Sequence, residues 1–361
     1  MARKPDGELR RGWTTGACAA GAARAAFTAL LTGRFPDPVA VELPKGHTPA
    51  FALAEHTLGR DWAAAAIIKD GGDDPDVTHG CTVRATVTPA RPGAGVRFHA
   101  GDGIGHVTRP GLPIPPHEPA INPVPRRLMR AAIADVAAAH GGSGDVAITL
   151  AIPGGAELAA QTLNPRLGIE GGLSVLGTTG VVIPYSCSSW IHSIHRGIDA
   201  ARAEGLDHVA GSTGSTSEAV VQREHALPDT ALLDMGDFAG GTLKYLRDHP
   251  VPRLTIAGGF GKLAKLAAGS LDLHASQSRV DPAFLATLLR TAGADGETVA
   301  RAETLTTAGE ILALAQDRQR PLGDAVAEAA RASAQTVAGD ATRVGVLVVD
   351  RGGEIVGRAD A

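Results

Sequence analysis

Twelve consecutive residues, Lys69-Asp70-Gly71-Gly72-Asp73-Asp74-Pro75-Asp76-Val77-Thr78-His79-Gly80, form the densest polar cluster of this 361-residue chain, with four carboxylates and a histidine. Three chemistries compete for it. A hard-cation site would use these oxygens, although the EF-hand order of acids and glycine is not present. A solvated acidic loop is the plain alternative, because charged runs usually face water. An active-site loop would use His79, Asp73 or Asp74 as proton acceptor and Lys69 as a contact for an anion.

A second constellation is a strand, a glycine loop and a helix across 208–226, the arrangement that brings backbone N–H groups and a helix N-terminus up to a nucleotide. Gly211, Thr213 and Gly214 are its candidate contacts, with Gly258 in the later turn Gly258-Gly259-Phe260-Gly261. Asp234 closes the next strand some 23 residues after Gly211, where such folds place an acid on ribose hydroxyls. The run lacks a full G-x-G-x-x-G, so a simple strand-to-helix turn with a surface aspartate remains the competing reading. A P-loop at Gly261-Lys262 is excluded, because Ile256 stands where glycine is required and Leu263 replaces Ser/Thr. His192, His195 and Asp199 share one helix face, which suits packing between helices better than a metal, since a metal would need further ligands. Arg126, Arg127 and Arg166 become functional only if the ligand carries carboxylates, which a guanidinium grips bidentately.

The elements that must position these groups fall into two grammars. In the first half, Thr14-Thr15 cap an alanine-rich helix, and strands are expected at 39–43, 63–68 and 81–87. The prolines between Pro110 and Pro125 keep that stretch extended; Asn122 then caps a helix running to His140, where Gly141-Gly142 ends it, and a strand follows at 146–152. In the second half, short apolar strands at 208–210, 231–234 and 253–257 alternate with helices, the signature of a parallel sheet, and the chain finishes in a hairpin at 344–349 and 354–358. The expected fold is an α+β N-terminal domain, residues 1–165, followed by an α/β Rossmann-like C-terminal domain with a mostly parallel sheet, residues 166–361.

Composition narrows the function classes. A net charge of −4 with 20% charged and 44% hydrophobic residues is globular and argues against nucleic acid. No apolar run is long enough to span a membrane, and three scattered cysteines without CxxC spacing give neither a disulfide framework nor a zinc site, so reduced thiols in a cytoplasm fit best. Arg10-Arg11 before an alanine-rich run mimics a twin-arginine leader; Arg24 inside the run and its low hydrophobicity favour a packed helix instead. Glycine, 46 residues, is nearly twice its usual share and sits mostly between apolar runs, where ligand-holding loops are built.

Taken together, Gly12–Ala20, Lys69–Gly80, Ile121–Arg127, Thr162–Ile169 and Leu176–Gly180, in that order, closely resemble the cobalt-precorrin-5B (C-1)-methyltransferase family, CbiD. The loop Ala210–Thr216 departs from the Pro-Gly-Asn-like loop frequent in that family. The resemblance implies an S-adenosylmethionine-dependent methylation at C-1 of a corrin precursor in cobalamin biosynthesis, and leaves the metal-free precursor open as substrate. It implies that Thr14, Thr15, Lys69, Arg126, Arg127, Arg166, Thr178 and Thr179 hold the carboxylated tetrapyrrole and that His79, Asp73 or Asp74 takes the proton lost, while the strand–loop–helix and Asp234 place the cofactor in the second domain. No resident metal is expected, and a homo-oligomer is left open. A nicotinamide-dependent oxidoreductase and a non-catalytic tetrapyrrole carrier are the other classes, separated by which cofactor binds and by whether the methyl donor is turned over.

Overall fold

The computed structural model describes residue 5 and residues 7–361. The chain divides into two compact units, Met1–Ser186 and Cys187–Ala361. In the first unit, five strands form a sheet in the order Glu55–Leu58, Ala63–Ile68, Thr82–Pro89, Val146–Ala151, Val96–Ala100, antiparallel except for the last pair. Strict alternation sets its faces: Val83, Ala85, Val87, Val146, Ile148 and Leu150 are buried while their neighbours are partly exposed. Two helices cover the apolar face. The first, Thr15–Thr32, begins where Thr14 Oγ1 accepts from the Ala17 N–H at 3.2 Å and ends at Gly33, whose φ is +77°. Its alanines are buried all round, because the sheet lies on one side and the helix Pro123–His140 on another. Small residues permit this closeness: a Cβ on Gly21 would fall 2.7 Å from Ile67 Cδ1.

The second unit carries a five-stranded sheet in the order Leu232–Leu233, His208–Ser212, Arg253–Gly259, Arg343–Val349, Ile355–Ala359; the first four run parallel and the last is antiparallel. Helix Ser215–His225 covers one face through Val221, Ala210, Ala257 and Leu347. Helices Ala239–Asp248, Phe260–Ala267 and Leu322–Ala338 cover the other through Leu243, Leu263 and Val326 against Val209, Leu254 and Val346. The strand order reverses direction between the first and third strands in sequence, as in doubly wound sheets of the flavodoxin type.

The boundary lies 21 residues beyond the expected 165/166. The reason is backbone pairing: Ile169–Glu170 pairs with His106–Val107, and Val181–Val182 with Gly12–Trp13, so residues 166–186 are woven into the first unit. The strand expected at 39–43 shortens to Val39–Ala40, because Pro44, which has no N–H, opens a 3₁₀ turn at Pro44–Gly46. Asn122 occupies the cap position but its side-chain amide donates to Val175 O at 3.2 Å instead of capping. Four helices from Pro282 to Ala338 and the exposed strand Glu55–Leu58 were not foreseen. Among the described residues, no helix is long and apolar enough to cross a membrane.

Two stability predictions follow from this packing. Gly12→Ala would put a Cβ 2.0 Å from the Gly71 carbonyl carbon. It should cost about 3 kcal/mol and lower the melting temperature by on the order of 10 °C, whereas Gly46→Ala, with nothing within 4 Å, should cost only about 1 kcal/mol. His208 packs against His225 with ring centroids 4.9 Å apart, and burial, reinforced by Arg253 and His225, lowers its pKa to about 4. The unfolded chain then binds the proton more readily than the folded one between pH 6.5 and 4, so stability falls as pH drops through that window. After discounting for its half-exposed position the loss is about 1–2 kcal/mol, and urea melts at pH 7 and 4.5 should show a loss smaller by about that amount in His208→Gln than in the native protein, the remainder coming from His225 and His195, whose pKa values burial also lowers.

Candidate functional site

Four of the five segments singled out above meet directly in the first unit. Trp13 N–H donates to Asp70 O at 2.7 Å and Thr14 N–H to Gly180 O at 2.9 Å, so adjacent residues tie the polar loop and the Thr178–Gly180 loop to the start of the first helix. Gly16 N–H reaches Leu176 O at 3.1 Å, and a Cβ on Gly16 would fall 2.7 Å from Pro125 Cγ, which brings the second helix start alongside. Backbone meets backbone here: the loop glycines Gly71 and Gly72 press against Arg10–Gly12 closely enough that neither Gly12 nor Gly72 could carry a Cβ. The fifth segment, around Asn164, joins through Asn164 Oδ1, which accepts from Ser174 Oγ at 3.2 Å; Ser174 lies next to Val175, the partner of Asn122.

Within the polar loop, partners decide roles. Lys69 is 1% exposed; its Nζ donates to Asp76 Oδ2 at 2.5 Å. Its ammonium therefore faces inward, not toward an external anion. Asp76 also accepts from the Thr78 N–H and hydroxyl; although burial pushes its carboxyl up, the Lys69 ammonium and these hydrogen bonds prevail and hold it below the usual range. The hydrogen bond from Arg10, aided by the Gly72 N–H, holds Asp70 at about 2, so the loop keeps this charge at any working pH. Asp73 Oδ2 accepts from Arg10 N–H at 2.6 Å and Asp74 Oδ1 from Tyr185 N–H at 2.8 Å, one oxygen of each being committed. His79 is exposed, and its Nδ1 accepts from the Gly71 N–H at 3.0 Å. In the neutral ring the proton then sits on Nε2, which makes His79 a hydrogen-bond donor in this geometry and not the proton acceptor expected of it.

The remaining expected substrate contacts separate in the same way. Thr14 and Thr15 are buried at 6% and 4%, Thr14 serving as cap. Arg126 is spent on Glu118 Oε2 at 2.8 Å and on the carbonyls of Ile121 and Pro119, while Arg127 is exposed. Thr179 bonds within its own turn to Val181, Thr178 is exposed, and Arg166 is half-buried.

In the second unit a cleft of about 1300 Å³ opens at the carboxyl ends of the parallel strands, at the point where strand order reverses. Thr213 and Gly214 line it, as expected, with Ser215, Thr216, Lys262 and Asp237. Gly211 does not. It lies inside its strand, where a Cβ would meet Met235 Sδ at 3.1 Å, so its smallness serves packing. Gly258 likewise makes room for the Thr213 side chain, 2.8 Å from where its Cβ would be. Asp234 does not line the cleft either; its carbonyl accepts from Trp190 Nε1 at 2.8 Å. The strand stops at Leu233, and the chain beyond it carries Asp237 to the cleft instead. Lys262, weighed in the sequence only against a P-loop, donates to Thr213 O at 2.9 Å and lies 2.9 Å from Asp237 Oδ1. His195 stacks on Tyr245 at 3.9 Å and Asp199 accepts the Tyr245 hydroxyl, so that helix face serves inter-helix packing. Among the described residues no group of three or more His, Cys, Asp or Glu could hold a metal ion.

Comparison with known proteins gives these sites a lineage. Residues 2–184 match the model of the CbiD family and residues 272–360 that of the CbiD C-terminal domain. A relative from Paramagnetospirillum magneticum named cobalt-precorrin-5B C(1)-methyltransferase is 59% identical over 352 residues, 97% of this chain and 98% of that one. Relatives of the same name from Brucella anthropi and a Bradyrhizobium species are 58% and 57% identical over 97% of this chain, covering 96% and 93% of theirs. The crystal structure of the cobalamin biosynthesis protein CbiD from Archaeoglobus fulgidus is similar at 25% identity with a TM-score of 0.41, over 71% of this chain and 78% of that one. With a family match across the first unit and near-60% identity along almost the whole length, the chain belongs to the CbiD family.

Proposed function

We propose that this chain transfers a methyl group to C-1 of cobalt-precorrin-5B, giving cobalt-precorrin-6A in cobalamin biosynthesis. The observation that carries this reading is the 57–59% identity, over nearly entire lengths, to relatives that bear the name of that activity. S-adenosylmethionine is the donor we infer, in the cleft of the second unit. The residues fit such a group: the volume is ample, the loop Thr213-Gly214 opens a helix without a side-chain cap, the hydroxyls of Ser215 and Thr216 stand beside it, and a carboxylate and an ammonium face the same space. When bound, this donor supplies an electrophilic methyl group on a sulfonium sulfur.

The chain's own work is then positioning and proton handling. Arg127, exposed at the start of its helix, offers a guanidinium to a carboxylate arm of the tetrapyrrole, and Thr178 a hydroxyl. Asp73 Oδ1 and Asp74 Oδ2, the oxygens without a partner among the described residues, are the proposed proton acceptors; backbone N–H groups on their other oxygens fix their aim. His79 Nε2 donates a hydrogen bond to the substrate. Lys69 acts by holding Asp76 and so the shape of the loop.

Incubation with the pigment and a methyl-labelled donor, read by mass spectrometry, should show one labelled methyl group in the pigment; an unlabelled product would overturn the reading. Arg127→Ala should raise the KM for pigment about 5–20-fold with kcat within about twofold, the loss of one charge-assisted contact. Arg126→Ala should lower the melting temperature instead. Asp73→Asn with Asp74→Asn should lower kcat by about 100-fold or more at unchanged donor affinity.

A further inference from the structure

Asp237 is the one carboxylate in the second unit's cleft whose side chain is not already spent on its own backbone. Of the other acids that line it, Glu310 Oε2 is bound to the N–H and hydroxyl of Thr307 in a capping box, and Asp350 Oδ1 accepts the N–H groups of Gly352 and Glu354. The Asp237 side chain is 15% exposed, and Lys262 Nζ stands 2.9 Å from its Oδ1. Oδ1 is enclosed and has no hydrogen bond beside that ion pair, so Oδ2 is the oxygen left to the cleft. One carboxylate oxygen carries two lone pairs and can accept two hydroxyl protons.

Its backbone is held as firmly. Leu273 N–H donates to Asp237 O at 2.9 Å, and Lys262 is itself pinned to Thr213 O, so one ammonium ties together the loops that follow three neighbouring parallel strands. The result is an acceptor fixed in place before any ligand arrives, just beyond the end of the strand that flanks the first strand of the sheet. In dinucleotide-binding doubly wound sheets an acid near that strand end hydrogen-bonds a ribose hydroxyl.

We infer that Asp237, oriented by Lys262, selects a nucleoside with an intact 2′,3′-diol by accepting both hydroxyl protons. This rests on the reading that the cleft takes the methyl donor. It replaces Asp234 in that role, and the role is one of specificity, with no bond made or broken.

Titration calorimetry of the full chain with S-adenosylhomocysteine and with its 3′-deoxy analogue tests it. The native protein should bind the diol form about 10–100-fold more tightly than the deoxy form. Asp237→Asn, which keeps the shape, and Asp237→Ala should weaken the diol form by a similar factor and bind the two forms alike, while Asp234→Ala should keep the native preference. Variants at 237 that retain the full preference for the diol, or a native protein that binds both forms equally, would overturn the assignment and leave the donor reading standing. A native protein that binds neither form would remove both.

Discussion

The first unit depends on a place where two stretches of backbone touch with no side chain between them. Gly12 lies on Gly71-Gly72 at a separation that leaves no room for a single carbon. Because the contact is main chain against main chain, the polar loop is positioned relative to the first helix by peptide geometry, which does not relax as a side chain would. The loop's charges are then satisfied from within: Lys69 by Asp76, Asp70 by Arg10. What is left without a hydrogen-bond partner among the described residues is one oxygen each on Asp73 and Asp74 and one ring nitrogen on His79, the atoms to which the proposed function assigns the loop's chemistry.

The second unit solves its problem with topology. Parallel strands leave their carboxyl ends as a row of loops, and where the order reverses those loops diverge and leave a space. Lys262 spans that divergence by touching Thr213 and Asp237 at once. A cleft whose walls are cross-tied in this way gives up little conformational freedom on binding, so most of the contact energy with a ligand remains available as affinity.

Segments were legible in the sequence where local chemistry decides structure. Thr14 before an alanine run, Asn122-Pro123 before a helix and the glycine pair Gly352-Gly353 between two apolar runs gave starts, stops and a hairpin that the structure contains. The capping box at Thr307 and Glu310 carries an equally local signal, a threonine followed three residues later by a glutamate. Glu55–Leu58 carried no signal, since an edge strand exposed along its whole length shows no alternation. At the site, the segments were legible and the atoms were not. Residue type says that Lys69 is charged, but only the fold says that it is buried, and lysine is so seldom buried that an outward contact was the natural expectation. Asp234 and Asp237 are indistinguishable by composition; which of them reaches the cleft depends on where the strand stops, the feature sequence resolves least well.

The first helix leaves a different mark on the protein's history. Ala17, Ala19, Ala20, Ala22, Ala23, Ala25, Ala26 and Ala29 are all fully enclosed, so apart from the buried ring of Phe27 its interior is filled by many small contacts. Such a core has almost nothing to lose by truncation and almost no room for growth. Drift along this helix is confined to exchanges among alanine, glycine, serine and cysteine, and any enlargement must be answered by a shrinking neighbour on the sheet or the second helix. Change there should come in pairs.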